Sequence, residues 1–176
     1  MYPLICVCSK KNIGVDALLD FTINNIIAPN EADPIKTNSG VELNSNKTDE
    51  LAAFVFKTGI ETHIGEVNYI RLFGGELNEG QDIINANNNS KERVSQINVS
   101  AGKNRTKIEK AVAGDIVSLI KLKDVKTNQT LIAPRSNTGE IEPFEIPDPI
   151  YFTSIKAKNS SDDEKMGVAL NEIQKI

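Results

Sequence analysis

The chain contains few of the residues from which metal sites and nucleophilic sites are built. It has one histidine, two cysteines and no tryptophan among 176 residues, and aromatic residues make up 5%. A metal site needs several converging ligands, so neither His63 nor the pair Cys6 and Cys8 predicts one. We expect His63 to be a solvated turn residue. We expect the two cysteines to be small buried residues of a cytosolic protein.

Long apolar runs are also missing. No stretch approaches the roughly 20 apolar residues that a membrane helix needs. Residues 1–5 lack the basic start and the long apolar centre of a signal peptide, so we expect a cytoplasmic protein without membrane contact. The phosphate-binding pattern Gly-x-x-x-x-Gly-Lys-Ser/Thr is absent from the sequence. We therefore expect this chain, by itself, to be no enzyme and to bind no GTP.

The charge of the chain is unevenly distributed. The net charge is −4, which argues against DNA binding and against general affinity for nucleic acids. Residues 91–110 nevertheless hold six Lys or Arg and two Glu, a local net charge of +4. A basic patch on an acidic molecule predicts a directed contact with phosphate groups that salt weakens.

The middle of the chain reads as many short strands separated by turns. Gly74-Gly75 and Glu79-Gly80 are turn signals between apolar stretches. This spacing is typical of a mainly β barrel or sandwich. The predicted strands cover residues 51–57, 64–73, 82–84, 92–99, 107–111, 116–121, 130–133 and 141–146.

The two ends read as partial α/β pieces. Residues 4–8 form an apolar run of the buried-strand type, and residues 15–27 carry a helical apolar stripe. Residues 31–50 are polar and predict a linker or long loop. A strand over 150–156 and a helix with a capping box over 161–164 follow. A single strand with a single helix cannot bury both faces, so we expect a longer protein that continues beyond both ends.

Two acidic or nucleotide-binding patterns have simpler explanations. Asn46-Lys47-Thr48-Asp49 matches the guanine-recognition motif of GTPases, but it sits in a polar loop with no buried strand before it. The acids over residues 162–164 could resemble a carboxylate metal site. Three consecutive acids at the start of a helix are better explained by capping and by the helix dipole.

The basic set has two possible roles, a solvated strand face or an RNA contact. Lys103 and Arg105 flank a turn at Gly102, where we expect their side chains to be exposed. No aromatic residue lies among these cations to stack on bases, which favours contact with the phosphate backbone. The set comprises Lys91, Arg93, Lys103, Asn104, Arg105, Lys107 and Lys110.

An ordered series of motifs resembles one protein family. A basic turn at 103–106 is followed by Ala113-Gly114-Asp115 and by Leu122-Lys123-Asp124. Phe54-Val55-Phe56-Lys57 and the turn over 71–77 precede them in the order found in the second domain of elongation factor G. Gly74, where that family has Ser, marks this chain as resembling a diverged paralogue.

The resemblance implies a domain organisation and a fold. Residues 1–30 would be the C-terminal end of the GTPase domain, residues 31–50 a linker, and residues 51–147 the second domain. Residues 148–176 would begin the third domain, with Asp163 to Leu170 resembling its opening. The implied fold is a closed antiparallel β-barrel of the translation-factor domain II type.

The resemblance also implies a function. The barrel would dock an elongation factor G-like GTPase on the small ribosomal subunit during translocation and join the GTPase domain to the third domain. Its ribosomal RNA contacts would be Lys91, Arg93, Lys103, Asn104 and Arg105. The fragment would hold no cofactor; the full-length parent would bind GTP with magnesium, with Cys8 and Ser9 at the guanine-contacting step. The alternatives are a ribosomal-protection or other translational GTPase, or an autonomous RNA-binding barrel.

Overall fold

The computed structural model describes residues 2–46, 48–61, 64–102 and 104–174. The chain divides between Ala32 and Asp33 into two compact units. None of the helices in these described ranges is both long and apolar enough to cross a membrane.

The first unit contains a short 3-10 helix, Ser9–Lys11, and helix α1, Val15–Asn25. Gly14 caps α1 with a φ of 71°, and a Cβ there would lie 2.8 Å from the Cys6 carbonyl oxygen. Glycine therefore suits this position both in conformation and in space. The helix predicted over residues 15–27 is confirmed, and in the structure it ends at Asn25, two residues earlier than predicted.

The predicted buried strand over residues 4–8 is wrong. Leu4 is 92% exposed, Cys6 is exposed and Cys8 is half-buried, so the expectation of buried cysteines is wrong as well. A strand is stable when its backbone groups pair with a neighbouring strand. In the described part of this unit the run has no such neighbour; its backbone pairs only at Cys8, with Ile13.

The second unit is mainly β and antiparallel, as predicted. A two-stranded hairpin comes first, followed by ten further strands. The strands are β1 Ile35–Lys36, β2 Glu42–Leu43, β3 Ala52–Glu61, β4 Gly65–Gly74, β5 Glu76–Asn78, β6 Asp82–Asn85, β7 Lys91–Arg93, β8 Ile97–Ala101, β9 Asn104–Ile108, β10 Lys110–Val112, β11 Ile116–Ile120 and β12 Thr130–Ile132. Eight of them form one sheet in the order β7-β6-β12-β3-β4-β11-β8-β9.

The prediction of a closed barrel is not confirmed. Within the described residues, the edge strands β7 and β9 do not pair with each other, and β5 and β10 form a separate two-stranded sheet. Single backbone hydrogen bonds lie at the gap: Glu79 N donates to Glu109 O, and Gly80 N donates to Val94 O. Each edge thus bonds to the turn after β5, and this turn takes the place of a continuous ladder.

The core is built from branched aliphatic side chains, as the scarcity of aromatics predicts. The alternating faces of β3, β4 and β11 turn one set inward. The central members, each at most 1% exposed, are Val55, Ile70, Leu72, Ile83, Ile97, Leu119 and Leu131.

A second, smaller cluster involves the polar stretch 31–50. Its hairpin, β1 with β2, contributes Leu43, which packs with Phe54 and Ile141. Asn38 N also donates to Glu140 O. This part of the polar stretch is therefore packed against the sheet.

Four strand predictions need correction. Residues 92–99 and 107–111 are each divided between two strands, with breaks at 94–96 and at Glu109. Residues 141–146 form only a single bridge, at Ile141, because Pro143 interrupts the run and has no N–H to donate. Residues 150–156 are not a strand: Ile150 is fully exposed, and no described strand pairs with them.

The last element is helix α2, Asp163–Ile173, preceded by a 3-10 turn, Ser160–Asp162. Asp163 and Glu164 lie in the first turn of α2, where the helix dipole favours carboxylates. Asp162 accepts a hydrogen bond from Lys165 at 3.0 Å. These acids therefore lie where the helix dipole favours them, and the capping role expected for them stays a prediction.

Candidate nucleic-acid interface

The basic residues of 91–110 separate into two groups in space. The cations of β9 and β10 have carboxylate partners in the described structure, which offset their charge. The pairs are Arg105 with Glu61 at 2.5 Å, Lys107 with Glu79 at 2.7 Å and Lys110 with Glu76 at 2.5 Å.

Arg105 is the least accessible of these cations. Its side chain is 19% exposed, so the expectation of an exposed Arg105 is wrong. The Tyr69 hydroxyl also donates to Glu61, at 2.7 Å. Hydrogen bonds from Tyr69 and Arg105 hold the pKa of Glu61 below its usual value. The hydrogen bond to Glu61 and burial raise the pKa of Tyr69.

The rest of the basic turn is only partly described. Asn104 is exposed and begins β9, where it pairs with Ala101. Lys103 and His63 lie outside the described residues. The RNA contacts predicted for Lys103, Asn104 and Arg105 therefore stay predictions.

Lys91 and Arg93 lie on the exposed face of β7 and line a groove of about 470 Å³. Two further cations, Lys121 and Lys123, line the same groove from the segment after β11. None of the four forms a salt bridge with another residue of the described ranges. The remaining lining residues are Asp82, Ile83, Ile84, Glu92 and Pro134.

Lys121 and Lys123 were not among the residues predicted from the sequence to contact RNA. They belong to the Leu-Lys-Asp run that carried the resemblance, but they lie outside the charge-rich window 91–110. The available signal was the pair of lysines on either side of apolar Leu122, although Lys121 is not extended and has a φ of 62°.

Glu92 holds the segment 121–124 against β7. It points away from its neighbours Lys91 and Arg93, and 6% of the residue is exposed. Its carboxylate accepts the backbone N–H groups of Lys123 at 3.2 Å and of Asp124 at 2.8 Å. Because this carboxylate is engaged with backbone donors, it forms no ion pair with the neighbouring cations.

A second buried polar residue fixes the same segment. Asn85 is fully buried, and its Nδ2 donates to the Asp124 carbonyl at 3.0 Å and to Gln129 at 2.8 Å. Asn88 donates to the Asp124 carboxylate at 2.8 Å. The backbone of Lys123 and Asp124 is thus held by hydrogen bonds from two different strands and a turn.

The aromatic side chains of the sheet lie elsewhere. The described residues that line the basic groove include no aromatic ring. Phe54 and Phe144 meet edge to face with ring centroids 6.2 Å apart, and the Arg71 guanidinium lies 4.9 Å from the Phe73 centroid. The basic groove is therefore suited to phosphate groups and offers no platform for base stacking.

The structure describes most residues of the two nucleotide-related patterns. Cys8 N–H donates to Ile13 O at 2.9 Å, which leaves the Ser9 amide as the donor available to a guanine base. One amide fits only an edge of such a site. In the loop 46–49, the Asp49 carboxylate accepts the amides of Asn44 and Asn46, a turn role that agrees with rejecting the GTPase motif; Lys47 lies outside the described residues.

Comparisons with known proteins agree with the motifs. The family model "Elongation factor G domain 2" matches residues 50–133. Elongation factor G from Ehrlichia ruminantium (strain Welgevonden) is 34% identical over 176 residues, covering 97% of this chain and 25% of that protein. This chain thus spans about a quarter of the length of that relative.

A solved structure supports the fold. A crystal structure of a protein from Thermus thermophilus superposes with a TM-score of 0.72, covering 96% of this chain and 24% of that one. At 23% identity, this match shows the fold alone. Together with the matched motifs and the 34% identical relative, these findings confirm the resemblance: residues 50–133 match the second domain of elongation factor G.

Proposed function

We propose that this chain docks an elongation factor G-like translation factor on the small ribosomal subunit during translocation. The observation that carries the proposal is the groove beside β7, where Lys91 and Arg93 are exposed cations without a carboxylate partner among the described residues. In a chain of net charge −4, such a concentration of positive charge favours contact with a polyanion.

We propose RNA contacts at the five predicted residues, and the structural support differs from one residue to the next. Lys91 and Arg93 are supported by their exposure and by the lack of a salt-bridge partner within the described ranges. Asn104 is supported by its exposure at the start of β9. Arg105 is engaged with Glu61, so we assign it to holding the hairpin that carries Lys103 and Asn104.

The wider organisation is also part of the proposal. Residues 1–30 close a GTPase domain, 31–50 link it to the β domain of 51–147, and 148–176 begin a third domain. The β domain joins its two neighbours within a longer cytoplasmic GTPase. In that parent, GTP with magnesium is bound by the GTPase domain, and Ser9 N–H supplies one edge of the guanine site.

Binding of the 176-residue chain to purified small ribosomal subunits tests the proposal. An isolated domain offers few phosphate contacts, so we expect a dissociation constant on the order of 10⁻⁴–10⁻⁶ M near physiological salt. Replacing Lys91 and Arg93 with Gln removes two contacts. This double variant should bind more weakly, with a log–log salt slope shallower by about two.

Lys156 and Lys158 provide a matched control. They are exposed and two residues apart, like Lys91 and Arg93, but they lie outside the sheet. Replacing both with Gln changes the net charge equally and should leave the affinity and the salt slope unchanged. If both double variants lost the same affinity, binding would depend on the net charge of the chain and not on the groove. Wild-type binding to free RNA as tight as to intact subunits would favour an autonomous RNA-binding domain.

A further inference from the structure

We infer that β7 and the segment 121–124 together form a binding site for the sugar–phosphate backbone of RNA, with Lys121 and Lys123 as contacts. This inference deepens the proposed function and rests on it. It adds two residues that neither the local charge of the sequence nor the predicted basic turn includes.

The four cations converge from different parts of the sheet. Lys91 and Arg93 come from an edge strand, while Lys121 and Lys123 follow a strand on the other side of the sheet order. Folding brings all four to one groove. Like charges repel, so their collection without carboxylate partners among the described residues is unfavourable until an anion binds.

Part of the backbone of this site is preorganised. The end of the segment 121–124 is fixed, because Glu92 accepts the amides of Lys123 and Asp124 and Asn85 donates to the Asp124 carbonyl; Lys121 has a φ of 62°. This left-handed conformation is uncommon for a non-glycine residue, which indicates that the surrounding structure holds Lys121 in it. Because the segment is already held, little ordering of its backbone is needed when a ligand binds.

The side chains of the groove fit a sugar–phosphate backbone. The guanidinium of Arg93 can bind two phosphate oxygens at once, and the lysine ammonium groups act as point charges. The groove also has an apolar wall from Ile84 and Pro134, which suits the ribose between phosphates. With no aromatic ring among its described lining residues, the site contacts the backbone without reading the bases.

The acidic groups beside the groove are compatible with this site. Glu92 directs its carboxylate toward backbone donors. Asp82, the other carboxylate of the lining, forms no ion pair with any of the four cations in the described structure. The four positive charges therefore exceed the two negative charges.

The test uses a double variant, Lys121→Asn with Lys123→Gln, because Asn tolerates the left-handed conformation at position 121. Binding to small ribosomal subunits is measured over a range of salt concentrations, with the thermal unfolding midpoint as a check of folding. We expect weaker binding and a salt slope shallower by about two, with the midpoint unchanged. The Lys156 and Lys158 double variant again serves as the control.

The outcomes separate this inference from the proposed function. If the Lys91 and Arg93 variant weakens binding and the Lys121 and Lys123 variant does not, the inference is overturned and the proposed function stands. If neither variant differs from the wild type, or if the wild-type chain does not bind the subunits, both fail.

Two further measurements read the site directly. Lysine acetylation followed by mass spectrometry should show protection of Lys121 and Lys123 by bound subunits, with Lys156 and Lys158 unprotected. A photo-crosslinking amino acid at position 123 should yield adducts with ribosomal RNA. Equal acetylation in the presence and absence of subunits, or adducts only with ribosomal proteins, would overturn the assignment to RNA.

Discussion

Nη2 of Arg105 lies 2.5 Å from Oε1 of Glu61, although their strands stand four positions apart in the sheet, β3-β4-β11-β8-β9. Neighbouring strands are about 4.8 Å apart, so a flat sheet would separate β3 from β9 by roughly 19 Å. The ion pair therefore requires the sheet to curl on itself. It fastens the end of β3 to β9 across that curve.

Removing this pair should destabilise the fold. Arg105→Ala leaves Glu61 with one fewer donor, and because Glu61 is partly exposed, we expect a loss of about 1 kcal/mol in the free energy of unfolding. For a chain of this size, that loss lowers the thermal midpoint by roughly 2–4 °C. Calorimetry measures the change. Lys107→Ala, which breaks a more exposed pair, should cost less; an equal loss would contradict the role given to Arg105.

The same carboxylate predicts a dependence of stability on pH. The pKa of Glu61 is lowered in the folded state, chiefly by the Tyr69 hydroxyl. Its contribution to stability is therefore present above the unfolded pKa of about 4.3 and is lost as the pH falls through the lower folded value. Urea unfolding at a series of acidic pH values should show this loss.

Tyr69→Phe isolates that contribution, because it removes the largest cause of the Glu61 shift and keeps the aromatic ring. Acid should then destabilise the variant less than the wild type. The pKa of Tyr69 is raised, so its own contribution persists below the unfolded pKa of about 10 and falls as the pH rises above it. Identical acid dependence in the two proteins would rule out this coupling.

Glu92 should govern the order of the segment 121–124. Glu92→Ala leaves the amides of Lys123 and Asp124 without their acceptor, at a cost of about 1–3 kcal/mol in the free energy of unfolding. Hydrogen exchange at these two amides should accelerate. Glu92→Gln keeps one acceptor oxygen and should have a smaller effect. Unchanged exchange in Glu92→Ala would show that the carboxylate does not hold the segment.

Helix α1 should open more readily than the sheet. It has no buried residue, whereas β3 and β4 supply the centre of the core. Helices of this length are marginal without tertiary packing. Hydrogen exchange should therefore protect the amide of Leu18 far less than that of Ile70. Equal protection would mean that α1 and the sheet unfold as one cooperative unit.

The sequence alone was sufficient for elements whose pattern is local. The β pattern of residues 64–73 predicts β4, and the apolar spacing after Gly14 predicts α1, because both signals depend only on one segment. The alternation that placed Tyr69 on the inner face and Asn68 on the outer face is wrong, since Asn68 is buried with Ile70 and Leu72. The apolar runs at 4–8 and 150–156 carry the same kind of signal and are not strands. Whether such a run becomes a strand depends on a hydrogen-bonding neighbour, which periodicity does not reveal.

The candidate site divides in the same way. The sequence determined the family through its ordered motifs, and it located positive charge at 91–110, because both are properties of residues along the chain. Only the tertiary structure decided which charges remain available. Arg105 meets a carboxylate 44 residues away, whereas Lys91 and Arg93 are joined by Lys121 and Lys123. Coulomb interactions act through space, so the pairing of a cation depends on the tertiary structure. The curl of the sheet brings Arg105 to Glu61, whereas the hydrogen bonds of Glu92 to backbone amides occupy the carboxylate beside Lys91 and Arg93.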